Sequence, residues 1–201
     1  MSADNTPGVE ERPTRDVTLT VNGEDLSASV EPRLKLSDFL RQHAGCRGVR
    51  VGCEHGVCGA CTVSVDGDLV KSCLMYAVQT DGSQVRTVEG LAEDGSLHPI
   101  QEAFHEEHAL QCGFCTSGFV MSTQALLSEN PDPSHEEMED HLSSNICRCT
   151  GYQNIYDAVE TAAAELADAE RTDGGADDLL NAPSDDLEDL TDGTDGSGGD
   201  A

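Results

Sequence analysis

Positive charge is what this sequence has least of. Its 201 residues hold 39 acids against 11 bases, a formal net charge of -28, and only two of the bases are lysines, Lys35 and Lys71. Nucleic acid is thereby excluded as a natural ligand, because phosphate contacts need clustered Lys and Arg. Long apolar runs are missing as well: no stretch reaches the roughly 20 residues that a membrane-spanning helix takes. Residues 1–15 are polar, without the apolar core of a secretion signal and without a twin arginine, which leads us to expect a cytoplasmic protein whose thiols stay reduced. An even cysteine count is also lacking. Nine cysteines leave one over and argue against a complete disulfide framework.

What the chain does have is sulfur in a pattern. Val51-Gly-Cys-Glu-His-Gly-Val-Cys-Gly-Ala-Cys-Thr places Cys53, Cys58 and Cys61 at C-x4-C-x2-C, and Cys73 follows after eleven intervening residues. That is the plant-type spacing for holding a [2Fe–2S] cluster with four thiolates. A loop must fold back to bring three sulfurs to the cluster while the fourth arrives from a separate strand. Gly52, Gly56 and Gly59 suit such a loop, since residues without a Cβ take positive φ and let backbone N–H groups approach sulfide. A zinc ribbon would take its cysteines as separated pairs, and a chain of this size needs no disulfide staples.

Around the motif, Asp16-Val-Thr-Leu-Thr-Val and Asp25-Leu-Ser-Ala-Ser-Val alternate apolar and polar on either side of Asn22-Gly23, a hairpin signal. Leu36, Phe39 and Leu40 share one face of a short helix. Thr62 to Asp66 and Leu69 to Cys73 read as strands joined by Gly67-Asp68, with a last strand over Val85 to Val88. Strands packed on one helix make an α+β arrangement, ending near Gly90. From His98 the period turns helical: Ile100, Ala103, Phe104 and Leu110; then Cys115 to Ser128; then a segment capped by Ser134; then Asn154 to Glu170. Four helices with short loops suggest a four-helix bundle. The expected organisation is a disordered start (1–15), a first domain (16–90), a helical second domain (91–170) and a disordered acidic tail (171–201).

The helical part carries a second sulfur set, Cys112 and Cys115 in one C-x2-C, Cys147 and Cys149 in one C-x-C. At facing helix ends these four could surround another cluster, since helix N-termini favour negative charge; taken alone, zinc competes. Cys46 is left over and reads as a small buried hydrophobe. The histidines do not compete: a Rieske-type centre replaces two cysteines by two histidines, and four cysteines already accompany His55. No nucleophile–base–orienter set is legible, so the chain is expected to move electrons and leave bond chemistry to others.

Together Val51 to Val63, Ser72-Cys-Leu, Gln111-Cys-Gly-Phe-Cys-Thr-Ser-Gly-Phe-Val-Met and Asn145-Ile-Cys-Arg-Cys-Thr-Gly-Tyr-Gln-Asn-Ile resemble the iron–sulfur (small) subunit of the xanthine oxidase family of molybdenum hydroxylases, in a form like that of aerobic carbon monoxide dehydrogenase. The likeness covers about Asp16 to Asp168. It implies a β-grasp ferredoxin-like domain followed by a four-helix bundle, each with one [2Fe–2S] cluster, a large partner subunit holding a molybdenum–pterin cofactor and a medium partner holding FAD, in a dimer of heterotrimers. It assigns Cys53, Cys58, Cys61 and Cys73 to the cluster nearer the flavin, and Cys112, Cys115, Cys147 and Cys149 to the cluster nearer molybdenum. It also implies pterin contact by Gln111 and Cys149. Ser117 departs from the family's usual Pro, and Cys46 from a usual apolar residue. The function implied is a relay of single electrons from molybdenum through two clusters to FAD; a free-standing ferredoxin with an extra domain and a zinc-structured module are the rivals.

The charge is a separate signal. Residues 172–201 contain nine Asp, one Glu and no Lys or Arg, yet the other 171 residues still carry a net -18. A folded body this acidic repels itself unless salt screens it, which leads us to expect a halophilic protein.

Overall fold

The computed structural model describes residues 12–92 and 95–173; most of the acidic tail and residues 1–11 lie outside it, so the disorder expected there is untouched. Strands β1 (Arg15–Val21) and β2 (Glu24–Val30) pair antiparallel from Arg15 opposite Val30 to Val21 opposite Glu24. Asn22 and Gly23 close them with φ of 51° and 84°, the paired positive values that a two-residue hairpin matching the strand twist requires. Helix α1 (Leu36–Gln42) follows, then β3 (Thr62–Val65), β4 (Asp68–Lys71) and β5 (Gln84–Arg86), with short 3-10 turns at Ala77–Gln79 and Val88–Leu91. The sheet runs β2-β1-β5-β3-β4, with β1 and β5 parallel and the other pairs antiparallel. One sheet turn differs from the sequence reading. It is Asp66-Gly67, at φ of 51° and 92°, and Asp68 already belongs to β4; Asp-Gly meets the positive φ that Gly67-Asp68 would have asked of an aspartate in second place.

Alternation in β1 sends Val17, Leu19 and Val21 inward, where they meet Leu36, Phe39 and Leu40 of α1 and Val63, Val65 and Val85 of the neighbouring strands. Cys46 is buried in the same core, as a packing residue should be. This mixed sheet with a helix across one face is a ferredoxin-like arrangement.

Four helices follow: α2 (Pro99–Glu106), α3 (Thr116–Glu129), α4 (His135–Leu142) and α5 (Gln153–Asp173). The starts of α2 and α4 have a local cause. Pro99 opens α2 behind His98, whose Nδ1 accepts from the Ile100 N–H, so His98 caps the helix. Ser134 and Glu137 form a reciprocal capping box on α4. Helix α2 ends at Glu106, leaving Leu110 in the following loop and exposed, off the apolar face assigned to it. Helix α5 takes in the first three residues of the expected tail, ending at Asp173. Ile100, Phe104, Phe119, Met121, Met138, Leu142, Ile155 and Val159 fill a second core between these helices.

The two cores meet along a seam where backbones touch. Gly118 in α3 sits against the carbonyl of Gly59, so close that a Cβ there would overlap it, and Asn145 fills the space a side chain on Gly59 would need. Asn145 is itself buried and donates to the Gly118 carbonyl at 3.1 Å and the Ser122 hydroxyl at 2.6 Å. Across the same seam the Ile146 N–H donates to the Cys58 carbonyl at 3.0 Å.

Candidate metal centres

The first sulfur set is built by a loop and a hairpin. Thr62 of β3 is opposite Lys71 of β4, so the strand ends that carry Cys61 and Cys73 emerge side by side; the Ser72 hydroxyl and N–H both bond the Cys61 carbonyl, at 2.7 and 3.2 Å. The loop before β3 turns on Glu54, Gly56 and Gly59, all at positive φ. Gly52 does not share that conformation. Its reason is space, since a Cβ there would stand 3.2 Å from Cys58 Sγ and from the Phe114 ring. The folded loop aims the N–H groups of His55, Val57 and Cys58 at Cys53 Sγ, at 3.5, 3.3 and 3.4 Å. His55 thus contributes its backbone, with its ring exposed. Bonds from the His55 and Cys58 N–H groups hold the Cys53 thiol down at about 6, whereas burial, with Cys61 beside it, pushes Cys73 up to about 11.

The second set lies where α3 and α5 begin. Cys115 is the residue before α3, and the loop of Cys147 and Cys149 turns at Gly151 and Tyr152, with φ of 72° and 73°, into α5. The Tyr152 hydroxyl accepts from the Cys147 N–H at 3.1 Å while its ring packs edge-on to Phe119. Cys147 Sγ accepts from the Thr150 hydroxyl at 3.2 Å and the Thr150 N–H at 3.5 Å; burial raises this thiol, but those donors outweigh it and leave it lowered. Burial and the neighbouring Cys147 push Cys115 up to about 12. Cys112 and Cys149 are exposed, with sulfurs 3.6 Å apart. Gln111 is exposed beside them. Arg148 projects from the same loop and is exposed too. At the start of α3 the hydroxyl oxygens of Thr116 and Ser117 are buried without a hydrogen-bond partner among the described residues.

The sulfurs face each other in pairs: Cys53 with Cys58, Cys61 with Cys73, Cys112 with Cys149, Cys115 with Cys147. Among the described residues no three His, Cys, Asp or Glu side chains converge on the position of one ion. Four thiols gathered in two pairs at each set are a donor chemistry that fits a [2Fe–2S] cluster. Sequence reasoning missed Lys71, Asn145, Thr150 and Tyr152, which hold the sulfur loops in place. Asn145, Thr150 and Tyr152 stood inside the quoted motif without a role, and Lys71 was visible as one of two lysines, two positions before a cysteine.

Residues 19–92 match the profile of a 2Fe-2S iron-sulfur cluster binding domain, and residues 87–160 that of a [2Fe-2S] binding domain. Two such domains in one chain define a two-cluster electron-transfer protein. The small subunit of nicotine 6-hydroxylase from Paenarthrobacter nicotinovorans is 52% identical over 161 residues, which are 80% of this chain and 96% of that one. Caffeine dehydrogenase subunit gamma of Pseudomonas sp. strain CBB1 is 48% identical over 77% of this chain and 95% of that one. In structure, quinoline 2-oxidoreductase from Pseudomonas putida 86 superposes with a TM-score of 0.74 at 45% identity, over 78% of this chain and 97% of the matched one. The chain belongs to the small iron–sulfur subunits of the xanthine dehydrogenase family of molybdenum hydroxylases. It is a non-catalytic electron-relay subunit, working with a large molybdenum–pterin subunit and an FAD subunit. No helix among the described residues is long and apolar enough to cross a membrane.

Proposed function

We propose that Cys53, Cys58, Cys61 and Cys73 ligate one [2Fe–2S] cluster and Cys112, Cys115, Cys147 and Cys149 the other, and that electrons leaving molybdenum reach the second set before the first and then FAD. The observation that carries this is the pairing of the eight sulfurs in two groups joined at the seam, where the Cys58 carbonyl accepts from Ile146, the residue before Cys147. When bound, each cluster supplies one-electron redox chemistry. The chain's own residues hold the thiolates with backbone N–H groups, Thr150 and the strand register, and keep Cys61, Cys73 and Cys147 buried. Gln111 and Cys149, exposed together, form the face toward the pterin of the large subunit.

The same reading takes residues 16–90 and 91–170 as the two domains, the second a four-helix bundle, and places the chain in a cytoplasmic dimer of heterotrimers adapted to brine. Relatives named for nicotine, caffeine and quinoline favour a nitrogen heterocycle as the substrate of the assembled enzyme, chosen by the large subunit. The complex purified without oxygen should contain about four irons and four acid-labile sulfides per chain. Cys61→Ser should lose one cluster signal and stop flavin reduction while substrate still reduces molybdenum. Zinc in place of iron, or flavin reduction at the wild-type rate in that variant, would overturn the assignment.

A further inference from the structure

Lys71 sits on the seam between the two sulfur sets. It ends β4, and its half-buried ammonium donates to the Thr62 hydroxyl at 2.8 Å, the Asn145 side-chain oxygen at 3.2 Å and the Ser144 hydroxyl at 3.3 Å. Three acceptors use all three of its donors, so the charge is held in one place. Two of the anchors are themselves tied down: Thr62 donates to the Gly59 carbonyl at 2.6 Å, and Asn145 donates to Gly118 and Ser122. Those bonds also settle which end of the Asn145 amide faces the lysine. Thr62 follows Cys61 and Asn145 precedes Cys147 by two positions. The ion pairs among the described residues are made by Arg12, Arg33, His135 and Arg171, and none places a carboxylate on Lys71. In a chain this acidic, an ammonium left without a carboxylate has its charge available to other anions. Lys71 lies opposite Thr62, the residue after Cys61, and two positions before Cys73; burial lowers its ammonium pKa, and Cys61, Cys58 and Cys73, all of the first set, work against that.

We propose that Lys71 is a positioning residue for charge: it raises the reduction potential of the cluster held by Cys53, Cys58, Cys61 and Cys73 relative to the other, and so biases electrons across the seam toward the flavin side. The inference rests on the ligand assignment above. With four thiolates, a [2Fe–2S] cluster passes from net charge -2 to -3 on accepting one electron, here from the molybdenum side by way of the other cluster; no bond breaks and no proton moves. A fixed positive charge stabilises the more negative state more, and net local charge and hydrogen bonding are what set such potentials.

The test is a redox titration of the assembled complex followed by electron paramagnetic resonance, with the first cluster's signal identified as the one lost in Cys53→Ser. Lys71→Met should make reduction of that cluster about tenfold less favourable, a shift of about 59 mV to more negative potential for a one-electron couple. The second cluster should stay where it was, and Lys71→Arg should restore most of the shift. Should Met cost the first cluster altogether, Lys71→Gln keeps an amide donor for Thr62 and removes the charge, and the same shift is expected. Unchanged potentials, or equal movement of both clusters, would mean that Lys71 only clamps the seam; loss of the first cluster in both variants would equally make it structural and overturn the proposal. A wild-type complex with no two separable signals would fail the ligand assignment instead.

Discussion

At Cys53 three backbone N–H groups converge on one sulfur, and the thiol is held at about 6 when a free cysteine sits near 8.5. The sign is that of a depressed acid. The thiolate is present at pH 7 and is lost as pH falls through about 6. Burial does the reverse at Cys73 and Cys115, held at about 11 and 12. In the reduced, iron-free protein, iodoacetamide should therefore label Cys53 well ahead of Cys73 and Cys115 at pH 7, with its rate halved near pH 6. Peptide mapping by mass spectrometry reads this directly, and a half-point near that of free cysteine would show that the loop does not hold its shape without iron. On the proposed ligation, cluster uptake would also drive protons off Cys73 and Cys115.

Among the elements, α3 has the tightest constraint. Its apolar face fills the helical core through Phe119, Val120 and Met121, but its first turn has to meet the cysteine loop backbone to backbone. Glycine at 118 permits that approach. A Cβ would meet the Gly59 carbonyl, and neither partner is a side chain that can swing away. Gly118→Ala should destabilise the protein by about 1–3 kcal/mol, the usual cost of overpacking, although alanine is the better helix former. The same substitution should weaken the Ile146–Cys58 bond, so slower transfer between the clusters should accompany the lower denaturation midpoint. An unchanged midpoint would mean the seam can open without cost.

At the scale of the whole molecule the acids outnumber any partners they could have. Residues 91–170 contain a single Lys or Arg, Arg148, and the ion pairs among the described residues lie at the surface, where each contributes little. Self-repulsion then opposes the compact state at low ionic strength, and it fades as the screening length shrinks to about 3 Å near 1 M salt. The melting temperature should rise steadily with KCl, and should still do so after residues 174–201 are removed. A shortened chain equally stable in about 0.1 M and about 2 M KCl would place the effect in the tail, or nowhere.

Ligand spacing, hairpin chemistry and helix caps are local, so they are written in the order of residues. The intervals of Cys53, Cys58, Cys61 and Cys73 point to a cluster by themselves, Asn22-Gly23 to its turn, and Ser134 to the start of α4. The four-residue set from Cys112 to Cys149 was legible only beside the first, because two short intervals separated by 31 residues specify no geometry by themselves. Positions whose reason is a distant neighbour were silent. Nothing near Gly118 or Asn145 in the chain says that the loop at Gly59 will lie against them. Lys71 is the sharpest case. Its type and place could be read, but its role depends on Thr62, Ser144 and Asn145 arriving from two domains at once, and only the packed seam brings those three oxygens within reach of one ammonium.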